Sequence, residues 1–378
     1  MDRLLAGLRG IPDVAMFLVA GVLLGAGGFG LLRIDPASTL NQLALTFGAC
    51  FILFDGGASL RLAVLKQTWI TIVVLSTIGV LVTAAITGLA AQHVLGIPWI
   101  VALLLAAVIA STDPATLIPV FQQVKVRERV AQTVMAESAF NDATGAILTF
   151  AVLGVATGRS EFSFAAAMMD FATQVGFGLF AGAVLGHAAS LVIANERWTF
   201  MARYAPVVTI MAMIGAYLFA TGLDASGFMA VFVFGIVMGN RESYQDQLTR
   251  FVARTSLAAR ALIFVLLGAQ VDLSLVSAHL AGGAAVVAIF MLVARPAAVF
   301  ACALPDRKAR WTMKELLFMC WTRETGVIPG ALAGLLMGMN APQSGLIASV
   351  AFIAILATIL LQATTTRWLA GRLGLLED

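Results

Sequence analysis

Residues 99–121 read WIVALLLAAVIASTDPATLIPVF: twelve apolar residues run straight into Ser-Thr-Asp-Pro, and a second proline follows five residues after the first. The apolar part alone reads as the first half of a membrane-spanning helix. Pro114 has no N–H to donate and pushes Asp113 away from helical dihedrals, and Pro119 repeats the effect, so the helix is expected to break near Thr112. Unwound backbone at membrane depth is tolerated only where protein buries it or where it lines a wet cavity. These residues therefore predict a membrane protein with an interrupted helix at its centre.

Composition agrees. With 61% hydrophobic residues, 11% charged residues and a mean hydropathy of +0.97, the 378-residue chain is no ordinary soluble globule, which would carry about 25% charge. A β-barrel is excluded by long apolar runs where barrel strands would alternate. Spans are expected near 13–32, 40–58, 69–91, 99–121, 133–157, 167–193, 204–221, 226–239, 256–271, 281–304, 312–338 and 345–366, twelve in all, the eighth of them short. Cys50, Cys302 and Cys320 stand singly in apolar segments, which suggests neither a disulfide framework nor a metal site. The N-terminal MDRLLAGLRGIPD lacks a long apolar core, so no cleavable signal peptide is expected. Of the 23 lysines and arginines, eighteen fall on one side of this topology and only Arg33 and Arg159 on the other. That asymmetry predicts both termini in the cytoplasm and explains the basic balance without any nucleic-acid partner.

The remaining three, Arg260, Arg295 and Arg323, lie inside spans, as do Asp55, Asp113, Glu137, Asp142 and Glu324. A charge at the bilayer centre costs at least about 2.5 to 3.5 kcal/mol, so each should face a partner or water, and such a concentration favours an ion or proton pathway. A second span, MCWTRETGVIPGALAGLL, is interrupted at Gly326, Pro329 and Gly330. Spans four and eleven differ by an odd offset of seven, which predicts an inverted repeat with the substrate site between the two breaks. In the fifth span, MAESAFNDATGA, Glu137 and Asn141 are four apart, as are Ser138 and Asp142, so the two pairs share one helix face. Asp142, with a hydroxyl and an amide beside it, suits a small alkali cation and can exchange that cation for a proton. Glu137 needs a cationic partner, for which Arg295 and Arg323 are available.

STDPA, ESAFNDATGA, GIPDVAMFLVAGVLLG and ILFDGGASL, in this order, resemble the monovalent cation/proton antiporters of the NhaP-like branch, relatives of the animal sodium/proton exchangers. The resemblance covers nearly the whole chain. It implies an all-α polytopic fold with inverted repeats and two crossed broken helices. It implies that Asp142 holds cation and proton alternately, that Thr112, Asp113 and Ser138 join it as ligands of Na+ or K+, and that Asp55 approaches the same ion. Asn141 completes the motif, in the form similar to electroneutral exchangers, and Glu137 pairs with a late arginine, Arg295 being the first choice. A core near 40–58, 99–157, 256–271 and 312–366 would move in elevator fashion against a dimerising scaffold near 13–32, 167–239 and 281–304. The expected protein is thus a homodimeric exchanger of the inner membrane serving pH homeostasis, not an enzyme, without cofactor, and with a cytoplasmic regulatory domain or subunit if the chain is a fragment. Relatives commonly carry one more helix ahead of GIPDVAMF and a glycine where Glu324 stands.

Two other classes compete. A sodium-coupled solute carrier of related fold would use the same broken helices. An intramembrane aspartyl protease would use Asp113 and Asp142 as a dyad sharing one proton, but its Gly-x-Gly-Asp signature is absent.

Overall fold

The computed structural model describes residues 13–35, 38–112, 117–118, 120–121, 124–158, 163–194, 204–241 and 246–377. Among them the chain folds into helices α1 (Asp13–Leu24), α2 (Thr39–Ala58), α3 (Leu62–Leu95), α4 (Trp99–Ala110), α5 (Glu128–Ala156), α6 (Phe164–Ala194), α7 (Ala205–Gly222), α8 (Gly227–Gly239), α9 (Asp246–Ala269), α10 (Leu280–Ala303), α11 (Met313–Trp321), α12 (Val327–Gly338) and α13 (Ser344–Leu373). Eight of these are long and apolar enough to cross a bilayer, and α1, α4, α8 and α12 are shorter apolar helices. The first span is shorter than the expected 13–32, because the glycine-rich turn after Leu24 ends its helix.

Both breaks form where proline and glycine require them. α4 stops at Ala110, Ser111 is extended (ψ 139°), and the chain is helical again at 117–118 and 120–121. The second span unwinds from Thr322 to Gly326 between α11 and α12.

Packing divides the helices into two groups. α1, α2 and α6 to α9 pack on one another, as do α3 to α5 and α10 to α13, and the groups meet mainly through α5 against α6 and α8 and through α12 against α2 and α9. Of the segments expected in the core, 40–58 and 256–271 pack with the first group, and of those expected in the scaffold, 281–304 packs with the broken helices. α10 is apolar but for Arg295, and the polar and charged residues of α2 and α9 do not by themselves name the helix they face. In the first group, Gly178, Gly182 and Gly186 recur every four residues and let α6 press onto the α8 backbone, where a side chain would collide with Ser226, Ala230 and Phe234.

The second group holds three wide π turns, at Leu75–Gly79 in α3, Phe290–Ala294 in α10 and Thr358–Ala363 in α13. At one end of the bundle the C-terminal segment pairs with the loop before α5. Arg127 donates its N–H to Leu375 O (2.9 Å), and Glu377 donates to Lys125 O (2.8 Å). Beside it Arg129 lies 4.3 Å over the Trp311 ring and 3.4 Å from Glu315, which closes a capping box with Thr312 at the start of α11.

Candidate functional site

Unwinding at Ser111 and Thr112 removes intrahelical partners from the backbone, and α5 supplies replacements from its buried face. Thr112 donates its N–H to Asn141 Oδ1 (3.0 Å), Asn141 Nδ2 donates to Thr112 Oγ1 (2.6 Å), and Thr112 Oγ1 donates to Ser138 Oγ (2.9 Å). Ser111 Oγ donates to Asp142 Oδ1 at 2.6 Å. That approach depends on Gly145, since a Cβ there would stand 2.7 Å from Ser111 Cβ. The sequence reading missed Ser111, although it is adjacent to Thr112 and the glycine that admits it lies three residues after Asp142.

One turn earlier on α5, Glu137 accepts two hydrogen bonds from Arg295, both 2.8 Å, and a third from Asn141 Nδ2 at 3.3 Å. Arg295 Nε donates to Met319 O on α11 (3.1 Å), and both charged side chains are 2% exposed. The bidentate geometry is the favourable form of an arginine–carboxylate pair. Arg295 is thus the expected partner. Through Asn141 the pair fixes the side chain that holds the unwound backbone.

Arg323 differs from expectation. Among the described residues it makes no ion pair with a carboxylate. Its guanidinium donates to Thr83 Oγ1 (3.0 Å) and to the carbonyl of Ala110, and it lies 5.0 Å over the Phe290 ring. A cation from the second break therefore caps the C-terminus of the first half-helix, where unpaired carbonyls and the helix dipole attract positive charge. The π turns support the same crossing. Thr83 bonds back to Gly79 O at 2.7 Å, Phe290 opens the turn that precedes Arg295, and Thr358 Oγ1 accepts from Thr325 N–H at 3.0 Å. Wide turns of this kind are frequent at functional sites. Glu324, next to Arg323, is fully buried. The third arginine within a span, Arg260, faces Asp13 at 3.8 Å.

Asp142 lies at the inner end of a cavity of about 370 Å³ between the two helix groups. Gln42, Gln174, Thr221, Ser226 and Gln270 supply polar groups to its walls, and Val327 and Ile328 at the start of α12 close it beside Asp142. Gln42 begins α2, Gln270 follows α9, Thr221 ends α7 and Ser226 precedes α8, so the cavity runs from Asp142 toward the end of the bundle opposite the C-terminal segment.

The structure therefore brings together Thr112, Ser138, Asn141, Asp142, Glu137 and Arg295. Asp113 lies outside the described residues. Asp55 is half-buried late in α2 and is not among the described residues that line the cavity. The gathered carboxylate, hydroxyl and amide oxygens are hard donors suited to an alkali cation as a transported substrate.

Residues 3–372 match the family described as sodium/hydrogen exchanger, transmembrane. The chain is 32% identical over 336 residues to the Na(+)/H(+) antiporter 1 of Methanocaldococcus jannaschii, covering 85% of this chain and 77% of that protein. It is 28% identical over 380 residues to the K(+)/H(+) antiporter NhaP of Alkalimonas amylolytica, covering 97% of this chain but only 64% of that longer protein. Among solved structures it superposes on the sodium proton antiporter MjNhaP1 from Methanocaldococcus jannaschii at pH 8 with a TM-score of 0.79 and 29% identity, covering 98% of this chain and 94% of that one.

Proposed function

The chain belongs to the transmembrane sodium/hydrogen exchanger family, and from that premise we propose that it is a secondary antiporter exchanging a monovalent cation, Na+ or K+, for H+. The observation that carries the proposal is Asp142, a buried carboxylate at the inner end of the cavity with Ser111 on one oxygen. Proton and cation compete for this group. Thr112 and Ser138 offer the neighbouring oxygens, with Asp113 and Asp55 as further acids of the site. Glu137 stays ionised against Arg295 and takes no part in exchange, so one carboxylate swaps one monovalent cation for one proton and moves no net charge. The α3–α5 and α10–α13 group would carry the site past the other group as a rigid body. The limited set of contacts between the groups and the cavity that follows their boundary support this. The lysine and arginine asymmetry supports cytoplasmic termini. The group containing α1 and α6 to α9 is the proposed dimer scaffold.

The test is proton flux in reconstituted vesicles with an internal pH dye, where only a sodium or potassium salt is added. Wild type should move protons, and Asp142→Asn should not while remaining monodisperse. A folded Asp142→Asn protein with near wild-type flux would remove Asp142 from the exchange. Flux that appears only with an added organic solute would indicate a cation-coupled carrier instead.

A further inference from the structure

We propose that the shallow cavity between the first turns of α3 and the α10–α11 loop binds the headgroup of one anionic phospholipid. The cavity, about 440 Å³, is lined by Leu62, Leu65, Lys66, Trp69 and Lys308. The four α3 residues are spaced i, i+3, i+4 and i+7, so they form one stripe along the helix. Leu62 is 45% exposed and Trp69 51%, and Val73, one turn further along, is 45% exposed. Such a face suits acyl chains, with tryptophan at the headgroup level.

The loop is not free to wander. Asp306 accepts from Thr71 Oγ1 (2.6 Å) and Thr71 N–H (3.2 Å) on α3, and from the N–H groups of Lys308 (3.0 Å) and Ala309 (3.1 Å). Trp311 Nε1 donates to the same Thr71 hydroxyl at 2.8 Å. These bonds hold Lys308 beside the stripe, its Nζ 6.0 Å from the Trp69 ring centroid. Nearby acids are already engaged: Asp306 by these donors, Glu128 by Arg61 at 2.9 Å and Glu315 by Arg129. Among the described residues neither Lys66 nor Lys308 forms an ion pair. Two ammonium groups over an apolar stripe, at the arginine- and lysine-rich end of the bundle, match a lipid phosphate in the leaflet where anionic lipids attract basic residues. Both walls belong to the helix group that holds Asp142, so the lipid would travel with that group.

The probe is phosphatidylglycerol, titrated into detergent-purified protein and counted by native mass spectrometry, with phosphatidylcholine as the zwitterionic control. At roughly the energy of one basic residue near an anionic surface, Lys66→Gln and Lys308→Gln should each weaken phosphatidylglycerol binding about fivefold and the pair about thirtyfold. Lys314→Gln, at the same end but outside the cavity, should leave it unchanged. Equal retention of the two lipids by wild type, or wild-type affinity in the double variant, would overturn the proposal. Displacement of phosphatidylglycerol by millimolar inorganic phosphate or glycerol 3-phosphate would also overturn it, by assigning the site to a soluble phosphate.

Discussion

Removing Glu137 should destabilise the protein more than removing Asp142, although both are buried acids one turn apart. Arg295 makes three hydrogen bonds, two to Glu137 and one to Met319 O. In Glu137→Ala the guanidinium loses two of them yet stays buried, and Asn141 loses one of its anchors. Breaking one side of a buried pair costs about 3 to 5 kcal/mol. At about 2 °C per kcal/mol, the lower end of the range for larger domains, the melting temperature in detergent should fall by roughly 6 to 10 °C. Arg295→Met should cost a similar amount, because it leaves Glu137 facing only Asn141. Glu137→Leu combined with Arg295→Met places apolar side chains on both sides and should recover about half the loss or more. Asp142→Asn should shift the melting temperature little, since the proposed cycle requires that site to exist neutralised. The assay is a double-mutant cycle on melting temperature. Losses that add within about 0.5 kcal/mol would mean that the two residues are not energetically coupled, and would refute the reasoning.

Ser111→Ala removes the hydroxyl that positions Asp142 and should raise the half-saturating Na+ concentration in vesicle assays several-fold; Gly145→Ala, which pushes on the Ser111 Cβ, should be worse. An unchanged cation dependence in Ser111→Ala would mean that the 2.6 Å bond has no positioning role. Arg323→Met uncaps α4 and removes the donor to Thr83 Oγ1, so it should cost about 1 to 3 kcal/mol in thermal stability. In the α10–α11 loop, burial raises the Asp306 carboxyl, but hydrogen bonds from the Thr71 hydroxyl and from the N–H groups of Ala309, Lys308 and Thr71 outweigh it and hold the group below its ordinary value of 3.8. A depressed folded value means that its stabilisation is fully present above the unfolded value and is lost as pH falls through the folded one. Acid melting curves should therefore lose stability below about pH 4 in wild type, with a shallower slope in Asp306→Asn.

The spans, both breaks and the need of Glu137 for a buried arginine were legible in the sequence because each has a local cause; the choice of Arg295 over Arg323 came from the family resemblance. Apolar run length sets a span, Pro114 and Gly326 force a break, and a buried carboxylate requires a cation. The partition of helices was not legible. α10 is apolar but for Arg295, and the few polar residues of α2 do not name the helix they face, so the pattern does not say which neighbour each one meets. Arg323 misled for a related reason: a buried guanidinium can be satisfied by carbonyl and hydroxyl oxygens as well as by an acid, and the carbonyl that receives it exists only because α4 ends at Ala110.

The three wide turns bear on how the chain's length should be understood. A π turn accommodates an extra residue with almost no added rise, and everything beyond it is rotated by about 100° relative to an unbroken α-helix. α3 has 34 residues and α13 has 30, more than the roughly 20 that a membrane asks for. Deleting one residue from Leu75–Gly79, Phe290–Ala294 or Thr358–Ala363 would leave each span ample for insertion, yet would turn the side chains on its two sides onto different faces. Thr83 would leave Arg323, Arg295 would leave Glu137, or Thr358 would lose its place beside Thr325. Insertion and operation are therefore separate demands on these helices. A one-residue deletion could reach the membrane intact and still be unable to assemble its own ion site.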